Sequence, residues 1–282
     1  WKFKHSDPKN AYKADYDHSG WENVDVPHDW SILGEYDKDN PSGGQGAYLP
    51  TGVGWYRKNF ELETVDPNSQ YLVLFDGVFM NSKVWVNGEK VGRRPYGYIS
   101  FYFDITDKLV PGVNSIAVRV DNEKAPNARW YAGCGIYGDV HFIVKNKINF
   151  DQWGIFVKTP QITNDFATVA VEAAVNNNTD SETDAAVNFA IVDMEGKQVA
   201  SASRKVNLPA NEQVKVKQPV INVENPSLWS PESPYLYKLI SKIVVDGKVK
   251  HSQETRFGIR SLRFDADDGF FLNGKHTKLK GV

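Results

Sequence analysis

The sequence offers several constellations with chemical potential, and each is weighed by the partners that chemistry would require. Gly43-Gly44-Gln45-Gly46 has the glycine density of a phosphate-cradling loop. Such a loop also needs a Gly-Lys-Ser/Thr ending that opens a helix, and a dinucleotide site needs a βαβ unit. Neither accompanies it, so no phosphate site is expected. The histidines, at 5, 18, 28, 141, 251 and 276, show no His-x-x-x-His spacing, and the single cysteine, Cys134, cannot build a cysteine-based zinc site or an internal disulfide. No metal and no cofactor is expected. His28, ahead of Asp29 and Trp30, reads as a packed, hydrogen-bonded histidine. There is no Gly-x-Ser-x-Gly elbow to carry a serine nucleophile. Asp37 and Asp39 share a strand-like spacing, and Asp267 and Asp268 are adjacent. Solvated turns account for both pairs, and no catalytic dyad is legible.

Two stretches remain. Asp37 to Gly54 carries five glycines and two prolines, and Asp121 to Asp139 carries Asn127, Arg129, Trp130 and Tyr131 ahead of a glycine-rich run to Gly138. Loops beyond roughly 12–15 residues are uncommon unless they are functional or disordered. Trp130 is expected either to plug the end of the fold or to face a ligand. An aromatic and amide-rich loop surface suits sugars: ring faces stack on pyranose C–H groups while Asn, Asp and Arg take the hydroxyls.

The elements that must position these loops are strands. Aromatic residues make up 13% of the chain, with 22 Gly and 14 Pro, a mixture that favours short strands and turns. Period-2 alternation recurs at Trp55–Leu62, 70–76, 82–86, 98–104, 115–120 and 140–144, and Asn87-Gly88 marks a hairpin. No amphipathic helix is found. This predicts an all-β sandwich of about 145 residues, with Asn146 to Trp153 as a junction. Beyond it, seven runs (155–158, 167–175, 185–192, 198–206, 213–220, 235–245 and 248–257) predict an immunoglobulin-like sandwich. Arg57 and Arg119 are expected to face solvent or to be paired. Trp55 and Trp85 should pack, and Cys134 should be a small buried residue. Asn177-Asn178-Thr179 has the form of a glycosylation sequon. A net charge of −2 argues against a nucleic-acid binder, and the longest apolar run, Tyr71 to Phe75, is too short to span a membrane. The chain opens on Trp1 without a signal peptide, and Leu279 to Val282 begins an apolar strand that does not finish. Trimming at both ends is therefore expected.

A set of motifs then carries a resemblance. Val26-Pro27-His28-Asp29-Trp30 precedes Asp37-Lys38-Asp39-Asn40-Pro41-Ser42-Gly43-Gly44 and Thr51-Gly52-Val53-Gly54-Trp55-Tyr56-Arg57-Lys58. Phe75-Asp76-Gly77-Val78, Val84-Trp85-Val86-Asn87-Gly88, Asn127-Ala128-Arg129-Trp130-Tyr131 and Gly135-Ile136-Tyr137 follow. Asn225-Pro226-Ser227-Leu228-Trp229, Phe257-Gly258-Ile259-Arg260 and Phe271-Leu272-Asn273-Gly274-Lys275 complete the series. In this order the set resembles the N-terminal part of family 2 glycoside hydrolases, and most closely the bacterial β-galactosidase branch.

The resemblance implies a jelly-roll sugar-binding domain over 1–147 and an immunoglobulin-like domain over 148–259. It makes 260–282 the opening of a (β/α)₈ barrel that carries both catalytic glutamates. It implies a non-catalytic piece of a retaining, exo-acting enzyme for terminal β-galactosides, partnered by carbohydrate and by its own C-terminal barrel. The sugar-contacting positions it implies are Asp39, Asn40, Asn127, Arg129 and Trp130. Best-known β-galactosidases place an aspartate where Arg129 falls, and Gly138 stands where many relatives have arginine. A free carbohydrate-binding module, a β-glucuronidase or β-mannosidase piece, and a structural surface protein are the alternatives. A periplasmic or extracellular setting is favoured slightly over a cytoplasmic one, and a homo-oligomer is compatible with the reading.

Overall fold

The computed structural model describes residues 1–124, 132–163 and 165–281. The chain divides into two compact units, Trp1–Val144 and Lys145–Val282. The first contains β1 (Lys2–Lys4), β2 (Glu22–Asn23), β3 (Gly52–Leu62), β4 (Ser69–Phe75), β5 (Ser82–Val86), β6 (Glu89–Arg94), β7 (Phe101–Asp104) and β8 (Gly112–Asn122), and most of β9 (Val140–Asn146). One sheet runs β2-β1-β3-β8-β5-β6 and the other β7-β4-β9. Side chains alternate faces along a strand, so each sheet turns one row inward. Tyr56, Val84, Val86, Ile116, Val118 and Val120 meet Tyr71, Val73, Phe75 and Phe101 in the core between them.

The outer face of the larger sheet is also covered. Ala117, on the side opposite Ile116 and Val118, is buried with Trp55, Val53, Ala11 and Trp21. The N-terminal segment lies across this face and is fastened at two points. Asp7 receives a forked pair of hydrogen bonds from Arg119, at 2.9 and 2.7 Å, and another from Trp55 Nε1 at 2.8 Å. Trp55 and Trp85 stack with centroids 5.2 Å apart, so both pack as expected, and Arg119 is paired as expected.

Arg57 departs from the expectation: it is fully buried, and its partners are not carboxylates. Its guanidinium donates to the carbonyls of Ala11 and Ala14 and to His18 Nδ1. Burial holds its pKa below the ordinary arginine value, against the pull of Tyr16 and Asp15. A buried charge is tolerated when its donors are satisfied, and here backbone oxygens of the overlying segment do this. Local alternation could not reveal a cover that comes from 39 to 46 residues upstream.

The second unit holds β10 (Ile148–Ile162), β11 (Phe166–Asn177), β12 (Thr183–Val192), β13 (Gln198–Leu208), β14 (Glu212–Glu224), β15 (Tyr237–Val245) and β16 (Lys248–Phe257). These correspond to the seven runs read from the sequence. They form the sheets β10-β11-β14 and β13-β12-β15-β16, an immunoglobulin-like sandwich around Val171, Val175, Phe189, Ile191, Leu239 and Ile243. The stretch read as a junction, 146–153, contains the start of β10. A register shift between Phe150 and Ile155 places a bulge there, with Trp153 at φ +59°. Three hairpin turns have both central residues at positive φ, as type I′ geometry demands: Asn87-Gly88, Asp246-Gly247 and Asn273-Gly274. A small sheet, β17 (Leu262–Asp265), β18 (Gly269–Leu272) and β19 (Lys275–His276), follows. Leu279 is exposed and lies outside any strand.

The sequon is not a modification site in this fold. Asn177 is fully buried, and its amide donates to the carbonyls of Ser181, Leu208 and Pro209 at 2.9, 2.9 and 3.1 Å.

Replacing Arg57 with Met should destabilise the first unit by about 2–4 kcal/mol, because it leaves the Ala11 and Ala14 carbonyls without their donor under the covering segment. Urea unfolding and limited proteolysis of residues 5–21 measure this. Unchanged protection would show that the segment is held without Arg57, by its aromatic residues and the Asp7 contacts.

A second outcome concerns pH. His251 Nδ1 accepts from Phe150 N–H at 3.2 Å, and burial together with the nearby Lys145 pulls its pKa down to about 4. A histidine held below its unfolded value contributes stability that is full above about pH 6.5 and lost as pH falls toward 4. Allowing for its partial exposure, the loss between pH 8 and pH 5 should be about 1–2 kcal/mol. His251→Asn should flatten that part of the stability profile, and an unchanged profile would refute the assignment.

Candidate functional site

The loops gather around one carboxylate. Asp29 Oδ1 accepts the backbone N–H groups of Ser31, Ile32 and Cys134, at 2.9, 3.3 and 2.9 Å. His28 N and Trp30 N donate to the carbonyls of Ile136 and Cys134, so 28–30 runs beside 134–136. On its other side Gly135 exchanges two 2.9 Å bonds with Phe79. The glycines are obligatory here. A Cβ on Gly133 would come 2.1 Å from Asp29 Oδ2, and Gly135 sits at φ +127° against Tyr56 Oη and the His28 carbonyl. His28 is packed and hydrogen-bonded, as expected, with Nδ1 2.8 Å from Tyr56 Oη, and burial holds its pKa below the usual histidine value. Cys134 is fully buried, and burial pushes its thiol up to about 11, which removes it as a nucleophile.

The long loop from Asp37 is folded on itself. Asp37 N donates to Tyr48 O at 3.0 Å, and Tyr48 N donates to Gly43 O at 2.8 Å. Asn40 is the clamp. Its amide donates to Tyr48 O at 2.8 Å and to Glu35 O at 3.3 Å. Asp39 is exposed, and its backbone N–H closes a turn onto Asp37 Oδ1 at 2.9 Å. The two residues read together from the sequence therefore differ in kind. Asn40 uses its amide to shape the loop, and Asp39 presents its carboxylate to solvent. Asn127, Arg129 and Trp130 lie outside the described residues.

Between the Asp29 turn and the 37–49 loop is a concavity of about 440 Å³, lined by Asp29, Ser31, Ile32, Tyr36, Ala47, Leu49, Ala132 and Gly133. Its size falls in the range of small-molecule sites. Tyr36, which is 76% exposed, offers a ring face at its rim, and Ser31 and Asp29 supply polar atoms. Ser31 and Tyr36 were not singled out in the sequence, because an isolated serine and tyrosine carry no spacing signal. The arrangement is suited to binding: its one carboxylate is occupied in holding backbone. Elsewhere in this unit the structure brings together Asp76, Asp139 and His141, with donor atoms within 4.8 Å of one another. All three are exposed, and His141 Nε2 lies 3.0 Å from Asp76 Oδ2, a surface hydrogen bond.

The fold is thus that of two consecutive β-sandwiches, the first presenting ordered polar and aromatic loops at one end. Comparison with known proteins carries the assignment further. The family description "Glycosyl hydrolases family 2, sugar binding domain" matches residues 8–156, and "Glycosyl hydrolases family 2" matches 152–260. The chain belongs to glycosyl hydrolase family 2. It is 39% identical over 283 residues to the β-galactosidase BoGH2A of Bacteroides ovatus, covering all of this chain and 33% of that protein. It is 41% identical over 282 residues to a putative β-glucuronidase of Formosa agariphila, covering all of this chain and 26% of that protein. A solved family 2 member from Bacteroides cellulosilyticus superposes with a TM-score of 0.94 at 36% identity, over 99% of this chain and 37% of its own. The chain therefore spans about a third of the length of these relatives.

The geometry orders three substitutions. Asp29→Ala should cost the 282-residue chain about 2–4 kcal/mol, since three backbone donors lose one charged acceptor. Asn40→Ala should cost about 1 kcal/mol, and Asp39→Ala no more than about 0.5 kcal/mol. Thermal unfolding of the three variants reads the order, and an Asp39 loss equal to that of Asp29 would overturn the division between clamp and contact.

Proposed function

We propose that this chain is the non-catalytic N-terminal part of a retaining, exo-acting β-glycosidase, and that the whole enzyme hydrolyses terminal β-galactosides. The observation that carries the reading is the alignment of both sandwiches, in order and over their full length, with a β-galactosidase. Asp39 is the exposed carboxylate of a loop otherwise folded by its own hydrogen bonds, a suitable acceptor for sugar hydroxyls. Asn40 acts by holding that loop, and Asn127, Arg129 and Trp130 are proposed as further sugar contacts. Retaining hydrolysis needs two carboxylates about 5–5.5 Å apart, one of them in surroundings that keep it protonated. Asp76 and Asp139, which meet at the surface, are both exposed, and the reaction is proposed for residues outside these 282. A second reading, a β-glucuronidase, is favoured by the identity to the Formosa protein.

The test compares this chain alone with the full-length protein on nitrophenyl β-galactoside and β-glucuronide. The full-length protein should turn over the galactoside, and the 282-residue chain should stay at background. In the full-length enzyme, Asp39→Ala and Arg129→Ala should each lower kcat/KM by about 1.5–3 kcal/mol, the worth of a hydrogen bond to a charged group. Turnover confined to the glucuronide would replace the first reading with the second. Turnover by the chain alone, abolished by a substitution within it, would overturn both.

A further inference from the structure

β10 carries a side loop of its own. Phe150 pairs with Val175 on β11 and Ile155 with Ala173, so residues 151–154 stand opposite Ala174 alone. β10 is an edge strand of its sheet, and backbone groups turned away from β11 have no ladder partner there. Phe150 is fully buried, and side chains meet both of its backbone groups. Its N–H donates to His251 Nδ1 on β16 at 3.2 Å, and its carbonyl accepts from Lys145 Nζ on β9 at 3.2 Å. Lys145 Nζ also donates to Gln152 Oε1 at 3.0 Å, and Asn176 Nδ2 on β11 donates to Asp151 Oδ1 at 3.3 Å. The loop is therefore fastened by three strands. It is also strained, because Trp153 is left-handed at φ +59°, a backbone that penalises an L side chain. A Cβ on Gly154 would come 2.9 Å from that of Asp151, so the loop folds tightly back on itself.

The His251 bond sets a chemical condition. Nδ1 accepts through its lone pair, so the ring that holds the loop is the neutral one with its hydrogen on Nε2. A proton taken from solvent at Nδ1 removes that acceptor and leaves a buried N–H unpaired. It also puts an imidazolium beside the Lys145 ammonium. Lys145 acts on His251 from β9, and Lys248 and Lys250 precede it on β16. Ile243, its register partner on β15, carries no charge. Asp151, on the loop itself, is the carboxylate that acts on Lys145, and Glu172 of β11 is paired with Lys158. Burial and Lys145 together keep the ring neutral at pH 7.

We propose that the 150–154 loop is an acid-opened latch: protonation of His251 at Nδ1 releases Phe150 N–H and frees residues 147–154, while the sheets of the second unit stay folded. The core around Val171, Phe189 and Leu239 does not include the histidine and holds those sheets when the latch opens. Opening also relieves the left-handed backbone at Trp153. The device belongs to the second sandwich and stands whichever glycoside the whole enzyme cleaves.

The experiment follows backbone hydrogen exchange of the full-length protein by mass spectrometry at pH 7.5 and pH 5, with rates corrected for the intrinsic pH dependence. Peptides within 147–156 should lose protection about tenfold on going to pH 5. At both pH values they should exchange at least about ten times faster than peptides of β12 and β15. His251→Asn, which keeps an acceptor that does not titrate, should make protection of 147–156 independent of pH. Lys145→Met, which removes the neighbouring charge, should move the loss to higher pH. Exchange of 147–156 at the same rate as β12 and β15 would mean that the whole unit opens, which overturns the latch and leaves the proposed function standing. Protection of the wild type that does not change with pH, or a pH trend that persists in His251→Asn, would overturn it as well. Were that variant unfolded at pH 7.5, the wild-type rates alone would decide.

Discussion

The loop end of the first sandwich depends on one carboxylate oxygen. Asp29 Oδ1 receives three backbone N–H groups that belong to two segments more than 100 residues apart. A backbone that leaves a sheet must find partners for its amides, and unpaired amides in a packed loop are costly. Here a single side chain satisfies them and fixes the 132–136 run between 28–30 and Phe79. The concavity, the start of the glycine-rich run and the placement of Tyr137 follow from that anchor. The glycines at 133 and 135 are its complement, since each gives up the Cβ that the close approach would exclude.

Much of this was legible in the sequence, for definite reasons. Asn-Gly and Asp-Gly pairs predict type I′ turns because both central residues must adopt positive φ; Asn87-Gly88, Asp246-Gly247 and Asn273-Gly274 do so, whereas Asp268-Gly269 does so only at its glycine and Asp76-Gly77 at neither residue. The seven runs of the second unit are strands because their alternation places Val, Ile and Phe on one face. What was hidden depended on distant chain. The alternation at 115–120 identifies the core row correctly, yet the opposite row is covered too, by residues from the far N-terminus. Arg57 belongs to that second layer, and no local pattern distinguishes a buried arginine from a surface one. In the 146–153 stretch, read as a junction, the start of β10 was hidden because its bulge interrupts the period, although pairing resumes on either side.

The candidate site shows the same division. Aspartate and asparagine side by side in a glycine-rich loop could be read as paired contacts. Composition could not say that Asn40 would use its amide on Glu35 and Tyr48 while Asp39 stayed free of that work. Tyr98 departs from its reading for a different reason. It sits in a run whose alternation suggests a strand, but β7 begins at Phe101, and the preceding residues form a loop.

The buried clamp at Asn177 has a practical consequence. Its amide nitrogen is the atom to which an N-linked glycan would be joined, and in the folded unit that nitrogen is committed to three carbonyls. In a eukaryotic secretory host the Asn-Asn-Thr triplet meets the glycosylation machinery while the chain is still emerging. A sugar attached then would occupy the space where the turn after β11 must close on the end of β13. Glycosylation and folding of this sandwich are therefore mutually exclusive at Asn177. Expression hosts that lack the modification would keep the chain on the productive route.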